Sequence, residues 1–312
     1  MKSKLSILLG LSLLAQVSLS GADEAKKPAA DAAKVAVKAA APKAPGQPAD
    51  IAAPKVGADG KIQAGFQKSH DSFVEIAKKG EAQVVFLGDS ITAGWNGQKA
   101  LFEKEYAQYK AANFGIGGDR TQHVLWRVEN GEFEGIKPKV VVLMIGTNNS
   151  GVGDNSVDQI AAGIKNIITA IHKRTPDTKV LLLAIFPRGA GETGNPGRTK
   201  NKAVNEIIAK FHDGKKVHYF DIGAKFLAAD GTLSKEIMPD QLHLNAKGYQ
   251  IEADAIREKL AALAGTCGPV RIYPQKTRVV FQARIRCAAG SPRKAFFLAH
   301  FLLPRDTTSP RI

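Results

Sequence analysis

Short apolar segments alternate with amphipathic segments between residues 66 and 265, and this alternation restricts the fold more than any other feature of the sequence. Two of the apolar segments, 139–146 and 179–186, are apolar at nearly every position, which is typical of strands buried on both faces of a parallel sheet. Such an alternation predicts an α/β fold, a three-layer α/β/α sandwich with right-handed crossovers. The predicted strands are Val84–Gly88, Ala111–Gly115, Lys139–Gly146, Lys179–Phe186 and Val217–Asp221.

Helical periodicity is found in the segments between these strands. The clearest example runs from Val157 to Ile171, with isoleucines at three- and four-residue intervals and Ser156 placed to cap the helix. In an open parallel sheet, functional groups collect at the carboxyl ends of the strands, so we expect the functional residues directly after the apolar segments. The other predicted helices are Ser69–Lys79, Ala100–Gln108, Thr121–Asn130, Thr199–His212 and Ala246–Ala264.

The first twenty residues have the three parts of a secretory signal peptide. Lys2 and Lys4 precede an apolar stretch, 5–19, and small residues follow it. We therefore predict export to the periplasm or the extracellular space, with cleavage after Ser20 or Ala22; the alternative is a short buried helix. No cysteine stands just after the apolar stretch to carry a lipid anchor, and no later apolar run is long enough for a transmembrane helix.

Two further segments flank the predicted domain, which spans residues 65–265. Of the 44 residues in 21–64, 28 are Ala, Pro or Lys, so this segment is predicted to be a disordered linker that buries too little apolar surface to fold. Residues 266–312 form a basic tail that contains Cys267 and Cys287. The tail is a loose extension, a hairpin closed by a disulfide between these cysteines, or the product of a shifted reading frame.

The net charge of +15 suggests a nucleic-acid or membrane-surface partner until its distribution is considered. Residues 1–64 carry +4, residues 65–265 carry +3 and residues 266–312 carry +8. The predicted domain is therefore nearly balanced, and the basic ends contain few of the aromatic residues that stack on nucleic-acid bases. We expect no nucleic-acid partner.

Polar residues with catalytic potential follow three of the predicted strands. Ser90 comes directly after the first strand, in the sequence GDS, where it is either a nucleophile or part of a helix cap. The second strand leads into GIGGD, 115–119, whose glycines suit an oxyanion hole or a tight turn; Arg120 breaks the dinucleotide-binding pattern. Asn148, in GTNN after the third strand, either donates to an oxyanion or ties its loop together.

A fourth element lies near the end of the domain, where Asp240 and His243 are three residues apart in a predicted turn. A carboxylate at this spacing can orient the imidazole, and no other histidine of the chain has the arrangement; His70, for example, is expected on a helix surface. Together the four elements supply a nucleophile, oxyanion donors, a base and its orienting acid, which is a complete acyl-transfer site. No metal-ligand motif such as HExxH is present.

The block order GDS, GIGGD, GTNN and DxxH resembles that of the SGNH (GDSL) hydrolases. The stretches NFGIGGDRTQHVLWRVENGE, IKPKVVVLMIGTNN, FPRG and DQLHLNAKGY are most similar to the catalytic subunits of intracellular platelet-activating-factor acetylhydrolases and their bacterial relatives. The resemblance covers residues 65–265 and implies a flavodoxin-like, five-stranded parallel sheet. The resemblance is also compatible with a homodimer, since relatives dimerise.

By motif position, the resemblance implies that Ser90 is the nucleophile, His243 the general base and Asp240 its orienting acid. The implied oxyanion donors are the backbone N–H groups of Ser90 and Gly118 and the side chain of Asn148. The expected activity is hydrolysis of short-chain carboxylic esters, above all acetyl esters, by a serine esterase or lipase, and the resemblance implies that no metal or organic cofactor is needed.

The substrate is the open part of this prediction. It is an acetylated phospholipid or, for an exported enzyme, an O-acetylated carbohydrate. Arg188, in FPRG, either binds an anionic substrate or forms a structural salt bridge. A non-enzymatic alternative is a carbohydrate- or cell-wall-binding module on a retired hydrolase fold, which would be marked by loss of one of the four catalytic side chains; all four are present.

Overall fold

The computed structural model describes residues 46–151 and 154–265. The predicted signal peptide (1–20), the linker up to residue 45 and the tail with Cys267 and Cys287 lie outside the described residues, so they stay predictions. Within the described part of the chain, no helix combines the length and the apolar character needed to cross a membrane.

Five parallel strands form one sheet. The strands are β1 (Val84–Gly88), β2 (Ala112–Gly115), β3 (Val140–Met144), β4 (Lys179–Leu183) and β5 (Val217–Phe220). Each strand lies within the predicted segment and is at most three residues shorter than it. The strand order is β2-β1-β3-β4-β5, which is the flavodoxin-like order and confirms the predicted α/β class and the five-stranded sheet.

Helices cover both faces of the sheet, because alternate residues of each central strand point to opposite sides. The helices are α1 (Ala64–Lys79), α2 (Ser90–Ala93), α3 (Lys99–Tyr106), α4 (Thr121–Glu129), α5 (Val157–Arg174), α6 (Pro196–Ile208) and α7 (Ala246–Ala264). In β1, Val85 and Leu87 belong to a core formed with residues of α1, α4, α5 and α6, whereas Val84 and Phe86 belong to a second core formed with residues of α2, α3 and α7.

The described residues before α1 pack against the domain, and this corrects the linker prediction for residues 46–63. Ala49 is fully buried, and its carbonyl oxygen accepts a hydrogen bond from Thr121 Oγ1 at 2.6 Å. The carbonyl oxygen of Gln47 accepts another from Asn155 Nδ2 at 3.1 Å. The segment, called the N-terminal arm below, is thus held through its backbone, which a composition argument based on apolar burial does not detect.

Candidate active site

Ser90 is the first residue of α2, and Asp89 alone separates it from the end of β1. The Asp89 carboxylate caps α2 by accepting the Ile91 N–H at 3.0 Å, so the cap belongs to Asp89 and the Ser90 hydroxyl is left for other contacts. The turn also needs Gly88, because a Cβ there would lie 2.2 Å from Thr92 Oγ1 and 2.4 Å from the Met144 carbonyl oxygen. Close packing thereby fixes Ser90 at the carboxyl edge of the sheet.

His243 and Asp240 meet Ser90 at this edge. Ser90 Oγ lies 2.8 Å from His243 Nε2, and His243 Nδ1 lies 2.6 Å from Asp240 Oδ2. Because a carboxylate only accepts hydrogen bonds, Nδ1 carries the proton and Nε2 of the neutral ring accepts from the Ser90 hydroxyl. The three predicted side chains therefore form one continuous hydrogen-bond chain, although Ser90 and His243 are 153 residues apart.

A tight turn between Met238 and His243 holds the acid and the base together. Asp240 Oδ1 accepts the backbone N–H groups of Leu242 at 3.0 Å and of His243 at 2.7 Å, while Gln241 adopts a positive φ of 59°. Burial acts to raise the pKa of Asp240, but the hydrogen bonds from His243 and Leu242 outweigh it, so the net effect lowers the pKa. Asp240 is thus kept ionised beside the imidazole.

The glycine loop after β2 lies next to Ser90. A Cβ built on Gly117 would be 4.0 Å from the Ser90 Cβ, and Gly118 has a φ of +71°, a conformation that glycine adopts at little cost. Asn148 approaches the same loop from the 3₁₀ turn Thr147–Asn149 after β3. Its Nδ2 donates to the Asp119 carbonyl oxygen at 2.9 Å and makes a longer, 3.4 Å contact with Asp89 Oδ2. The structure therefore places the glycine loop beside Ser90 and Asn148 against that loop.

The second asparagine of GTNN has a different environment. Asn149 is fully buried, and its side chain accepts the Thr121 N–H at 3.0 Å and donates to Asn155 Oδ1 at 2.9 Å. It fastens the loop after β3 to the start of α4. Of the two asparagines, Asn148 is therefore the one that contacts the glycine loop and Asp89.

Comparison with known proteins agrees with this geometry. The sequence model of the GDSL-like lipase/acylhydrolase family matches residues 86–251, which is more than half of the chain. The chain belongs to this family. It is 41% identical over 195 residues to the platelet-activating factor acetylhydrolase IB subunit alpha1 of Bos taurus, covering 62% of this chain and 82% of the relative. The alpha2 subunit of Gallus gallus is 39% identical over 212 residues, covering 64% and 90%.

A solved structure shows the same fold. A putative acylhydrolase from Bacteroides fragilis superimposes with a TM-score of 0.55 at 22% identity, covering 65% of this chain and 99% of that one. Family membership and the acetylhydrolase relatives make the chain a carboxylic ester hydrolase. Among the residues that the structure describes, no group of three or more His, Cys, Asp and Glu side chains could hold a metal ion.

In this GDSL-family chain, a buried arginine that the sequence analysis did not predict joins the strand ends below the site. Arg127 is fully buried; its Nε donates to Asp119 Oδ2 at 2.9 Å and its Nη1 to Glu132 Oε2 at 2.6 Å. Its Nη2 donates to the carbonyl oxygen of Gly88, the last residue of β1, at 3.3 Å and to that of Phe114, the last residue but one of β2, at 3.1 Å. Arg127 lies in the family-like stretch WRVENGE, but helix periodicity gives no signal for a buried cation.

Two other polar side chains contact this network. His70 was expected on a helix surface but is buried, and its Nδ1 lies 3.0 Å from Glu132 Oε1. Lys55, on the N-terminal arm, forms an ion pair with Asp119 Oδ1 at 2.7 Å. It lies outside the segment matched by the family, and the linker prediction gave no reason to expect it near the site.

Arg188 lies beside the turn that carries the acid and the base. Together with Asp240 and Leu242 it lines a cavity of about 390 Å³. Its Nη1 donates to the Thr147 carbonyl oxygen at 2.9 Å and contacts Thr147 Oγ1 at 3.3 Å. Arg188 thus supports the loop that carries Asn148, and its predicted contact with an anionic substrate stays a prediction.

Proposed function

We propose that the protein hydrolyses short-chain carboxylic esters through a covalent acyl-enzyme on Ser90. His243 Nε2 takes the hydroxyl proton as Ser90 Oγ attacks the ester carbonyl carbon, and the carbonyl oxygen becomes an oxyanion. The imidazolium then protonates the leaving alcohol, and the C–O ester bond breaks. Water repeats the sequence on the acyl-enzyme: His243 takes its proton, the acid leaves and the Ser90 hydroxyl is restored.

The oxyanion would lie between three donors: the backbone N–H groups of Ser90 and Gly118 and the Asn148 side chain. The Ser90 N–H is at the start of α2, where backbone N–H groups have no partner within the helix. Asn148 has one hydrogen on the Asp119 carbonyl oxygen, and the long 3.4 Å contact with Asp89 leaves the other available to a developing charge. Such oriented donors stabilise the transition state without reorganisation.

The observation that carries this proposal is the hydrogen-bond chain Ser90–His243–Asp240. The test is the replacement Ser90→Ala, with Ser72→Ala as a control because Ser72 is an exposed serine in α1. We expect Ser90→Ala to reduce p-nitrophenyl acetate hydrolysis to a trace and to abolish labelling by a fluorophosphonate, whereas Ser72→Ala changes neither. Substantial activity in Ser90→Ala would refute the mechanism.

We propose acetyl as the acyl group, since the relatives that are about 40% identical are named platelet-activating factor acetylhydrolases. An acetylated phospholipid is therefore one candidate substrate. The second candidate is an O-acetylated carbohydrate, which is favoured by the predicted export and by the exposure of His243 and Asp240. Their side chains are 42% and 55% exposed, so a large leaving group could extend into solvent.

A substrate panel separates these candidates. p-Nitrophenyl esters of rising acyl length test the acyl preference, and we expect kcat/KM to fall steeply beyond the shortest chains. An acetylated phospholipid and a set of acetylated sugars then test the alcohol part. A clear preference for long acyl chains would contradict the acetyl assignment, and release of acetate from only one alcohol class would decide between the two.

We also propose that the protein is exported, because residues 1–20 have the charge and hydropathy pattern of a signal peptide. N-terminal sequencing of protein recovered from the periplasm or the medium should begin at Gly21 or Asp23. A full-length protein retained in the cytoplasm would contradict this.

A further inference from the structure

Lys55 contacts the glycine loop of the active site from the N-terminal arm. Its Nζ donates to the Gly117 carbonyl oxygen at 2.7 Å and lies 2.7 Å from Asp119 Oδ1. The side chain is only 12% exposed, and Nζ lies 5.6 Å from the centre of the Phe66 ring. The ammonium group therefore has two partners on the loop that precedes α4, a hydrogen-bonded carbonyl oxygen and an ion-paired carboxylate.

The arm is built so that Lys55 is held in place. The Lys55 carbonyl oxygen accepts the Gln63 N–H at 2.9 Å, and an antiparallel β-bridge between Val56 and Ile62 closes the turn between these residues. The Gln63 side chain adds a hydrogen bond to the Val56 carbonyl oxygen at 3.2 Å. Lys55 thus starts a closed turn, which restricts the backbone from which its side chain extends.

The contact with Gly117 determines the direction of a proposed catalytic donor. The Gly117 C=O and the Gly118 N–H belong to one planar trans peptide, in which they point in opposite directions. Glycines on both sides let this peptide rotate at little cost, so its orientation must be fixed from outside. A cation on the carbonyl oxygen fixes the plane and also polarises the peptide, which makes the N–H a stronger donor.

The contact with Asp119 extends the effect to Asn148. The Asp119 carboxylate is held between Lys55 on Oδ1 and Arg127 on Oδ2, and the Asp119 carbonyl oxygen accepts a hydrogen bond from Asn148 Nδ2. A shift of the loop at residues 117–119 would therefore move both the Gly118 N–H and the Asn148 amide.

We propose that Lys55 is a positioning residue of the esterase: it fixes the Gly117–Gly118 peptide, so that the Gly118 N–H is aimed at the oxyanion. Lys55 acts through the loop and does not touch the reacting atoms. The N-terminal arm is by this proposal a part of the active site, although it lies outside residues 86–251 matched by the family. The proposal rests on the oxyanion role assigned above to Gly118.

The test compares Lys55→Met with Lys61→Met in the full-length protein. Both changes remove one positive charge from the arm, but Lys61 is exposed. Because loss of a whole oxyanion donor costs about 10²–10³ in kcat, a misaimed donor should lower kcat for p-nitrophenyl acetate about 10- to 100-fold. KM should change less than about threefold, since the donor acts on the transition state.

A second readout separates positioning from general structural damage. Ethylboronic acid forms a tetrahedral adduct with a serine nucleophile, and its inhibition constant should rise in Lys55→Met by a factor similar to the fall in kcat. Lys55→Arg keeps the charge beside Asp119 and should restore part of both parameters. If Lys55→Met does not fold, Lys55→Gln, which keeps a donor group near the buried carboxylate, gives the same comparison.

The outcomes distinguish this proposal from the mechanism on which it rests. Activity in Ser90→Ala would remove the acyl-enzyme mechanism, whatever Lys55 does. An inactive Ser90→Ala together with Lys55 variants whose kcat and boronate affinity match Lys61→Met would overturn the positioning role alone. A rise in KM without a fall in kcat would also overturn it, because Lys55 would then act on substrate binding.

Discussion

Glu252 allows a quantitative test of what it costs the folded protein to bury a carboxyl group. The residue lies on α7 and is 4% exposed, and its Oε2 has no hydrogen-bond partner among the described residues. Burial raises the pKa of Glu252 from 4.5 to about 8, and a hydrogen bond from the Trp95 side chain offsets this only in part. At neutral pH the folded protein therefore keeps this carboxyl protonated, while the unfolded chain ionises it.

The sign of the effect on stability follows from proton binding. Between the two pKa values the folded state binds more protons than the unfolded state, so raising the pH through this window lowers the free energy of unfolding. Above pH 8 both states are ionised, and the burial of the ionised carboxylate then lowers the free energy of unfolding by its full amount, roughly 5 kcal/mol for this pKa shift. Below the unfolded pKa, both states are protonated and Glu252 has no effect of this kind.

Replacing Glu252 by Gln removes the titration but keeps the shape of the side chain. We expect the free energy of unfolding of Glu252→Gln, relative to the wild type, to rise by roughly 2.5 kcal/mol between pH 6 and pH 9. Urea unfolding at several pH values measures this, and taking the difference cancels groups common to both proteins, such as Asp89, whose pKa burial raises to about 7. Glu258→Gln, at an exposed position of the same helix, is the control for the loss of one carboxyl.

The reasoning would be refuted if the free energies of unfolding of Glu252→Gln and the wild type differed by the same amount, within about 0.5 kcal/mol, from pH 6 to pH 9. It would mean that the carboxyl has the same proton affinity in both states, so that burial on α7 carries no electrostatic cost. A similar pH-dependent gain in Glu258→Gln would assign the effect to net charge and not to burial.

Three further changes test other parts of the structure. Asn148→Ala should fold normally but lower kcat about 10²- to 10³-fold, and near-wild-type ester hydrolysis would exclude its role as an oxyanion donor. Arg127→Met removes the cation that two buried carboxylates share, Asp119 and Glu132, and should lower the free energy of unfolding by about 3–5 kcal/mol in urea titrations; a loss below about 1 kcal/mol would show that the network relaxes. Gly163→Ala places a Cβ 2.3 Å from the Ala49 carbonyl oxygen and should detach the N-terminal arm, which limited proteolysis would detect; unchanged protease resistance would contradict the packing of the arm.

The sequence predicts the strands and the motif residues well because one physical constraint links them. Parallel strands bring their carboxyl ends to the same edge, so residues directly after strands, such as Ser90 and Asn148, must lie near one another. The meeting of His243 and Ser90 is predicted by the combination of the four elements and by the family resemblance, since spacing alone says nothing about a contact across 153 residues.

Helix starts were predicted less well than strands, for reasons that are local. α1 begins at Ala64 and not at Ser69, and its N-cap residue Gln63 makes no side-chain cap, so no capping signal marks the start. α6 begins at Pro196, three residues before the predicted Thr199, because the Asn195 side chain caps it and proline suits the first turn.

The N-terminal arm shows what composition misses. The disorder prediction depends on the lack of large apolar side chains, yet Ala49 and Gln47 are held by hydrogen bonds to their backbone carbonyl oxygens. Such contacts need partners on α4 and before α5 that are more than seventy residues away, so no local pattern can reveal them. Lys55 could not be found for the same reason.

The buried charges below the site compensate one another, which indicates how they contribute to catalysis. Lys55 and Arg127 face Asp119 and Glu132, two cations against two acids, so the group adds little net charge beneath the oxyanion loop. Their contribution to catalysis would therefore come from the orientation of the backbone carbonyl oxygens and the Asp119 loop that they hold. It follows that a replacement which keeps the charge but alters the reach, such as Lys55→Arg, should restore only part of the activity, whereas a purely electrostatic role would be restored in full.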